Sequence, residues 1–329
     1  MRFIVDTLGS DLGPNEIVKG VISAAKNTNT NYLLVGPETL LKKQIQESDL
    51  DLNRFEFLDT SEFISNDDEP VRAIRRKKES SLVLALNKLN EPGYDGLLSA
   101  GSTGGILAGG LFITGRIKGI ERAVLTAELP SENGPTVLID TGANMDTTAD
   151  MQRQFALMGT IYSSVVLKKE NPKVYLLNVG SEKAKGNKLS KKAYEALEHT
   201  KDINFQGNIE ARDILSGKAD VIVTDGFAGN IALKAIEGTA GLLFSEIKEG
   251  ISSSFKSKLG ALLVKDVFKQ IANKYNYKEV GAAQLLGIQK AVFKAHGSSD
   301  SQAIKNAILK SEQIISTHII DFLERETQW

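Results

Sequence analysis

Val221-Ile222-Val223 is a short apolar, β-branched run, and Thr224-Asp225-Gly226-Phe227 interrupts it before the helix-forming stretch Ala228-Gly229-Asn230-Ile231-Ala232-Leu233-Lys234. This pattern predicts a buried strand, a tight loop and a helix. The N–H groups of such a loop converge with a helix N-terminus, where unpaired donors and a partial positive charge attract anions. The pattern recurs. Gly96-Leu97-Leu98-Ser99 precedes Ala100-Gly101-Ser102-Thr103-Gly104-Gly105, Val137-Leu138-Ile139-Asp140 precedes Thr141-Gly142-Ala143-Asn144, and Val174-Tyr175-Leu176-Leu177-Asn178 precedes Val179-Gly180. Four such loops, with Asp, Asn or Ser among the glycines, predict a shared polar crevice at the carboxyl ends of parallel strands.

Further strands are predicted at Phe3-Ile4-Val5, Asn31 to Gly36, Arg54 to Leu58, Ala123 to Ala127, Asn204-Phe205 and Ala291-Val292-Phe293. Helices are predicted at Glu38 to Gln46, Met151 to Val166 and Ser301 to Arg325, and Pro14 suits the first turn of another. Alternating strand and helix predict an α/β fold with a parallel sheet. No fixed-period repeat, low-complexity segment or linker divides the chain, so residues 1–329 read as a single domain.

From Gly226 to about Tyr275 the pattern is almost wholly helical. Within Ile251 to Lys274, lysines at 256, 258, 265, 269 and 274 face the single acid Asp266, interleaved with Phe255, Leu259, Leu262, Leu263, Val267, Phe268 and Ile271. A basic amphipathic segment of this kind suits a membrane surface. It equally suits a helix pair packed into a dimer interface. Residues 245–276 are therefore expected to protrude as an amphipathic helical region.

Charge and composition narrow the chemistry. The 329 residues carry 40 basic and 41 acidic side chains, a net charge of −1, so no global field favours nucleic acid. There is no cysteine, which removes disulfides, thiolate metal sites and a cysteine nucleophile. The three histidines, His199, His296 and His318, are far apart in sequence, and no metal site or cofactor is expected. The amino terminus enters a strand without a signal-peptide pattern, and no apolar run approaches membrane-spanning length, so a soluble cytoplasmic protein is expected.

Glu69-Pro70 opens a short helix on which Arg72, Arg75 and Arg76 share one face. That face is either a solvated charged surface or a cationic wall for a phosphate or an acidic carrier protein. Neither G-x-G-x-x-G nor G-x-x-x-x-G-K-[ST] occurs, which argues against a standard nucleotide site. Ala100-Gly101-Ser102-Thr103-Gly104 approaches a nucleophile elbow, and the order Ser102, Asp225, His296 is that of an α/β-hydrolase. A Ser102-dependent esterase or thioesterase is therefore an alternative. His296 follows a strand and precedes a helix, which places it at the crevice edge.

Several stretches resemble the phosphate acyltransferases of bacterial phospholipid synthesis. They are Asp67-Asp68-Glu69-Pro70-Val71-Arg72-Ala73-Ile74-Arg75-Arg76-Lys77-Lys78, Ser99 to Gly104, Asp140 to Asn144, Leu176 to Gly180 with Lys185-Gly186-Asn187, Gly207-Asn208 with Glu210, Thr224 to Asn230, and His296-Gly297-Ser298-Ser299. The resemblance runs in family order over nearly the whole chain. It implies an α/β/α sandwich with a mostly parallel sheet, like that of phosphate acetyltransferases and isocitrate dehydrogenase. It also implies conversion of fatty acyl-[acyl-carrier protein] and inorganic phosphate to acyl phosphate, which feeds a membrane glycerol-3-phosphate acyltransferase. A cytoplasmic homodimer in peripheral contact with the membrane is implied too, with Phe255, Lys256, Lys258, Leu259, Leu262 and Leu263 facing the lipid.

Under this reading phosphate attacks the thioester directly. His296, Asn230 and Asp225 are the expected catalytic residues. Gly101, Ser102, Thr103, Gly104, Asn144, Asn178, Gly229, Asp6, Arg72 and Arg76 are expected to bind substrate or phosphate. The chain departs from the family pattern at Ser10, at Leu12 where a histidine is usual, at Ser102 where asparagine is usual, and at Gly281-Ala282-Ala283-Gln284. These departures raise the alternative of a catalytically weakened, membrane-docking relative that binds acyl phosphate.

Overall fold

Among the residues described by the computed structural model, 1–275 and 282–326, the apolar runs form eleven strands of one sheet. They are β1 (Arg2–Asp6), β2 (Asn31–Gly36), β3 (Phe55–Asp59), β4 (Gly96–Ser99), β5 (Val124–Leu129), β6 (Thr136–Ile139), β7 (Lys173–Asn178), β8 (Asn204–Glu210), β9 (Val221–Val223), β10 (Ala283–Leu286) and β11 (Val292–Lys294). Their order across the sheet is β3-β2-β1-β4-β11-β10-β5-β6-β9-β7-β8. Val221, Ile222 and Val223 are buried on both faces, as a continuous β-branched run requires.

Helices cover both sides. Ile17, Val18 and Val21 of helix Pro14–Ala25, Phe155 and Met158 of helix Ala149–Val165, and Ile304 and Ile308 of helix Ser301–Ile315 join Phe3, Val5, Leu98 and Phe293 in one core. On the opposite face, Leu82, Val83 and Leu86 of helix Ser81–Asn90 and Ile106 of helix Thr103–Gly109 pack on Ile4, Leu97 and Leu125. The result is a three-layer α/β/α sandwich with a mostly parallel sheet.

The sheet is not parallel throughout. The set β3-β2-β1-β4-β11 is internally parallel, as is β6-β9-β7-β8, but β10 is antiparallel to both β11 and β5, and β5 is antiparallel to β6. The two parallel sets therefore run in opposite directions. Loops after β4 and β11 leave one edge of the sheet, and loops after β6, β7 and β9 leave the other. Segments following β4, β6 and β9 still meet at one cavity and the loop after β7 stands apart from it, so the expectation of one crevice shared by all four glycine loops is corrected for that loop alone.

The stretch predicted as almost wholly helical from Gly226 to about Tyr275 is so, as three successive helices, and the predicted terminal helix is broken. The first ends at Ser252, and Ser254 caps a new helix, Phe255–Leu263, by accepting from Ser257 N at 3.0 Å; Lys265–Tyr275 follows. The terminal helix stops at Ile315 and, after His318 at a φ of 55°, resumes as Ile319–Glu326. Residue 276, the predicted end of the protruding region, and Gly281 of the departing run lie outside the described residues. From Gly241 to Ile271 no described side chain is buried. Among the described residues no helix is long and apolar enough to cross a membrane.

Candidate active site

A cavity of about 420 Å³ lies where the carboxyl ends of β11 and β5 meet the early turns of helix Gly226–Ser252. That volume suits a small-molecule site. Leu125, Ala127 and Leu129 of β5, Leu215, and Leu233 and Ile236 of the helix give it aliphatic walls. Polar groups come from separate elements: Thr103 from the start of helix Thr103–Gly109, Thr141 and Gly142 after β6, Asn230 and Lys234 from helix Gly226–Ser252, and Lys294, His296, Ser298 and Ser299 from the end of β11.

A polar row leads up to the cavity. Asp6, Ser99 and Lys294 are register partners across β1, β4 and β11. Ser99 Oγ donates to Asp6 Oδ2 at 2.7 Å and accepts from Gly101 N at 3.1 Å. Burial pushes the Asp6 carboxyl up to about 6, against the neighbouring hydroxyls of Ser81 and Ser99 and the Leu8 N–H. Burial, reinforced by the like charge of Lys234, brings the Lys294 ammonium down to about 8, while Asp11 opposes the shift.

The His296 imidazole is lowered first by burial and then by Lys234. Its Nδ1 receives the Ser298 N–H at 3.2 Å and lies 2.9 Å from Ser298 Oγ. A backbone N–H can only donate, so Nδ1 accepts, and the proton of the neutral ring sits on Nε2. On β5, Glu128 is engaged by Tyr162 Oη at 2.7 Å and Lys310 Nζ at 2.9 Å.

Of the predicted site residues, His296, Asn230 and Thr103 line this cavity. Others are engaged in shaping their loops. Asp225 caps helix Gly226–Ser252, accepting from Ala228 N at 2.7 Å. Asp140 accepts from Gly142 N, Ala143 N and Asn144 N at 3.0, 2.8 and 2.7 Å, so the donors of that loop turn towards the chain's own carboxylate. Asn144 Nδ2 donates to Ala123 O and Asp140 Oδ2, both at 2.9 Å, and its carbonyl accepts from Gly226 N at 2.7 Å.

Gly229 is a packing position, since a Cβ there would lie 1.9 Å from the Asp140 carbonyl oxygen. At Gly104 a Cβ would meet Pro70 Cγ at 2.6 Å, which lets helix Thr103–Gly109 rest on helix Pro70–Arg76. Asn178 accepts from Val179 N at 2.8 Å, and Arg72 and Arg76 are exposed; all three lie outside the cavity. Phe255, Leu259, Leu262 and Leu263 are 81%, 55%, 65% and 83% exposed, and Lys256 and Lys258 are exposed beside them.

The hydrolase arrangement is not assembled. Ser102 is 6% exposed and caps its helix by accepting from Gly105 N at 3.4 Å, while His296 Nδ1 faces Ser298 and Asp225 faces Ala228. A nucleophile needs its base within hydrogen-bond reach.

Sequence reasoning missed Lys294, Lys234 and Glu128. For Lys294 a signal was present: a charged residue closing the apolar strand Val292-Phe293, directly before Ala295-His296. Of the family departures, Ala282 and Ala283 line the cavity, while Ser10, Leu12 and Gln284 do not. Leu12 is 48% exposed, Ser10 Oγ accepts from Leu12 N at 3.2 Å, and Gln284 is buried in β10 with Oε1 unpartnered.

The model of a family described as fatty acid synthesis protein matches residues 1–321. A phosphate acyltransferase of Caldicellulosiruptor saccharolyticus is 47% identical over 99% of this chain and 98% of its own. One from Clostridioides difficile is 47% identical over 94% and 91%. Among solved structures, the EutD phosphotransacetylase of Staphylococcus aureus aligns with a TM-score of 0.59 at 15% identity over 96% of this chain and 94% of its own. A branched-chain phosphotransacylase of Enterococcus faecalis aligns with a TM-score of 0.59 at 13% identity over 96% and 99%. At such identities the structural likeness concerns the fold.

Proposed function

The chain belongs to the phosphate acyltransferase family of fatty acid synthesis proteins, and from that membership we propose that it moves a fatty acyl group from acyl-carrier protein to inorganic phosphate. The observation that carries this reading is the make-up of the cavity. Aliphatic walls suited to an acyl chain meet a rim of lysine, histidine, asparagine and hydroxyl groups suited to an oxyanion.

In the proposed step a phosphate oxygen bonds to the thioester carbonyl carbon. The carbon–sulfur bond breaks, and the sulfur leaves to be protonated as the carrier's thiol. No enzyme nucleophile is required, which agrees with the lack of cysteine and with Ser102 serving as a helix cap. Charge gathers on the carbonyl and phosphate oxygens, so the rate depends on positioning and on donors aimed at those atoms. With Nδ1 occupied by the Ser298 N–H, neutral His296 offers Nε2–H as a donor rather than a base. Asn230 contributes an amide donor from the facing helix, and Thr103 a hydroxyl.

His296→Ala and Asn230→Ala are each expected to lower kcat by about 10²- to 10³-fold, the usual cost of one oxyanion donor. Steady-state release of carrier protein, with circular dichroism as the folding control, checks this. A His296→Ala rate close to wild type removes the histidine from the chemistry. The acyl phosphate product is consumed, on this reading, by a membrane glycerol-3-phosphate acyltransferase. The exposed apolar side chains of helix Phe255–Leu263 support peripheral membrane contact, and those of Leu242, Leu243 and Ile247 support pairing with a second copy.

A further inference from the structure

The end of β11 carries a positive charge that no acid among the described residues directly answers. Lys294 Nζ donates to the neighbouring Ala295 carbonyl, and among the described residues no carboxylate lies within 4.0 Å of it. Lys234, on the facing helix, differs in being paired with Glu237 at 2.6 Å. A desolvated ammonium with no carboxylate in direct contact is costly; Asp11 acts on Lys294 only from beyond contact, and Lys294 ends the strand in register with Ser99. Lys294 lines the cavity that also holds His296, Ser298 and Ser299, and one ammonium proton goes to Ala295 O, leaving two for another partner. The missing partner is thus an anion with several acceptor oxygens, small enough to sit beside the aliphatic walls.

We propose that Lys294 is the residue that holds the attacking phosphate, its ammonium binding the phosphate oxygens beside His296 and the Ser298 and Ser299 hydroxyls. This inference rests on the phosphate acyltransferase reading and names a site residue for it. Phosphate chemistry has two sources in that reaction, inorganic phosphate and the phosphodiester of a carrier's prosthetic arm. The proposal assigns Lys294 to the inorganic ion, because the ammonium stands among the short polar side chains at the end of β11 rather than on an exposed surface.

The charged groups set around Lys294 are Lys234 and Glu237 from the helix, Asp11 from the loop after β1, His296 on its own loop, Asp6 through Ser99, and Glu128 on β5. The ammonium is cationic below about 8 and loses its charge as pH rises through that value. Phosphate affinity should therefore fall on the alkaline side. In Lys294→Arg, whose guanidinium stays charged, that fall should vanish.

The test measures binding of inorganic phosphate to the full-length protein by calorimetry, which needs no turnover, in wild type, Lys294→Arg and Lys294→Met. KM values for phosphate and for acyl-carrier thioester are measured alongside. Losing a charged hydrogen-bonding partner predicts phosphate binding about ten- to a hundredfold weaker in Lys294→Met, with a matching rise in the phosphate KM. The thioester KM should stay within about threefold, and the alkaline loss of binding should be absent in Lys294→Arg.

Equal phosphate binding by wild type and Lys294→Met overturns the proposal even if phosphate-dependent transfer is intact. So does a rise confined to the thioester KM, which would place the carrier's phosphodiester at this lysine. Absence of phosphate binding in wild type also overturns it, and the transferase reading falls as well only if phosphate-dependent release of carrier is missing. Weakened phosphate binding in Lys294→Met without any turnover by wild type would retain the anion site and remove the transferase reading.

Discussion

Asp225 and Asp140 accept the loop N–H groups that an incoming anion would otherwise use. A glycine loop with an acid at its head is therefore self-satisfied here, and the anion-binding capacity moves to side chains at the end of β11. Ser102 has the same kind of role. Ser102→Ala removes a cap worth about 1 kcal/mol and is expected to lower stability by that amount while leaving turnover and resistance to serine-reactive phosphonates unchanged. Phosphonate labelling lost in the variant would instead reinstate a nucleophile. Asp6 makes a pH-dependent contribution. Its folded value, about 6, lies above the ordinary 3.8, so the folded state binds more protons between the two. The stability it contributes is full below about 3.8 and is lost as pH rises through about 6. Asp6→Asn should abolish this slope and be more stable at about pH 7 by up to about 3 kcal/mol; urea unfolding on either side of the window checks it, and a persisting slope would assign it to another carboxyl. His296, Asn230 and Thr103 were legible from their positions after strands and at loops. Lys294 was not singled out, because a lysine ending a strand ordinarily reaches solvent and its missing counter-charge shows only in three dimensions.

Among the elements, helix Gly226–Ser252 links the chemistry to the surface. Its first turns are anchored where Gly229 passes the Asp140 carbonyl and Leu233 and Ile236 wall the cavity, while Leu242, Leu243 and Ile247 beyond them are exposed. Burial of an apolar side chain is worth about 1.5–3 kcal/mol, so the uncovered row is a strong drive towards a partner surface. Replacing Leu259 and Leu263 together by glutamate is expected to cut co-sedimentation with anionic phospholipid vesicles by at least about tenfold while leaving transfer from soluble acyl-carrier protein intact. Unchanged vesicle binding with a shift to monomer in sedimentation would place this helix between copies of the chain. The helical character of residues 226–275 was legible from periodicity. The break at Ser253 was less so, because Ser254 acts as a cap only once its hydroxyl meets the Ser257 N–H.

At the scale of the whole molecule, alternating strands and helices made the α/β class legible, and the reversal between the two parallel sets was the part the pattern did not convey. Register and direction are long-range properties. Even so, the short segments 130–135 between β5 and β6 and 287–291 between β10 and β11 carry the signal, since parallel neighbours need a longer crossover. The reversal brings the end of β11 from one set and the helix following β9 from the other to the two sides of one cavity. The most direct test of the account is release of free carrier from a long-chain acyl-carrier protein, with and without inorganic phosphate, trapping the product with hydroxylamine. Release that depends on phosphate and yields an acyl hydroxamate is expected. Release at the same rate without phosphate, or no release by the folded protein, would contradict it.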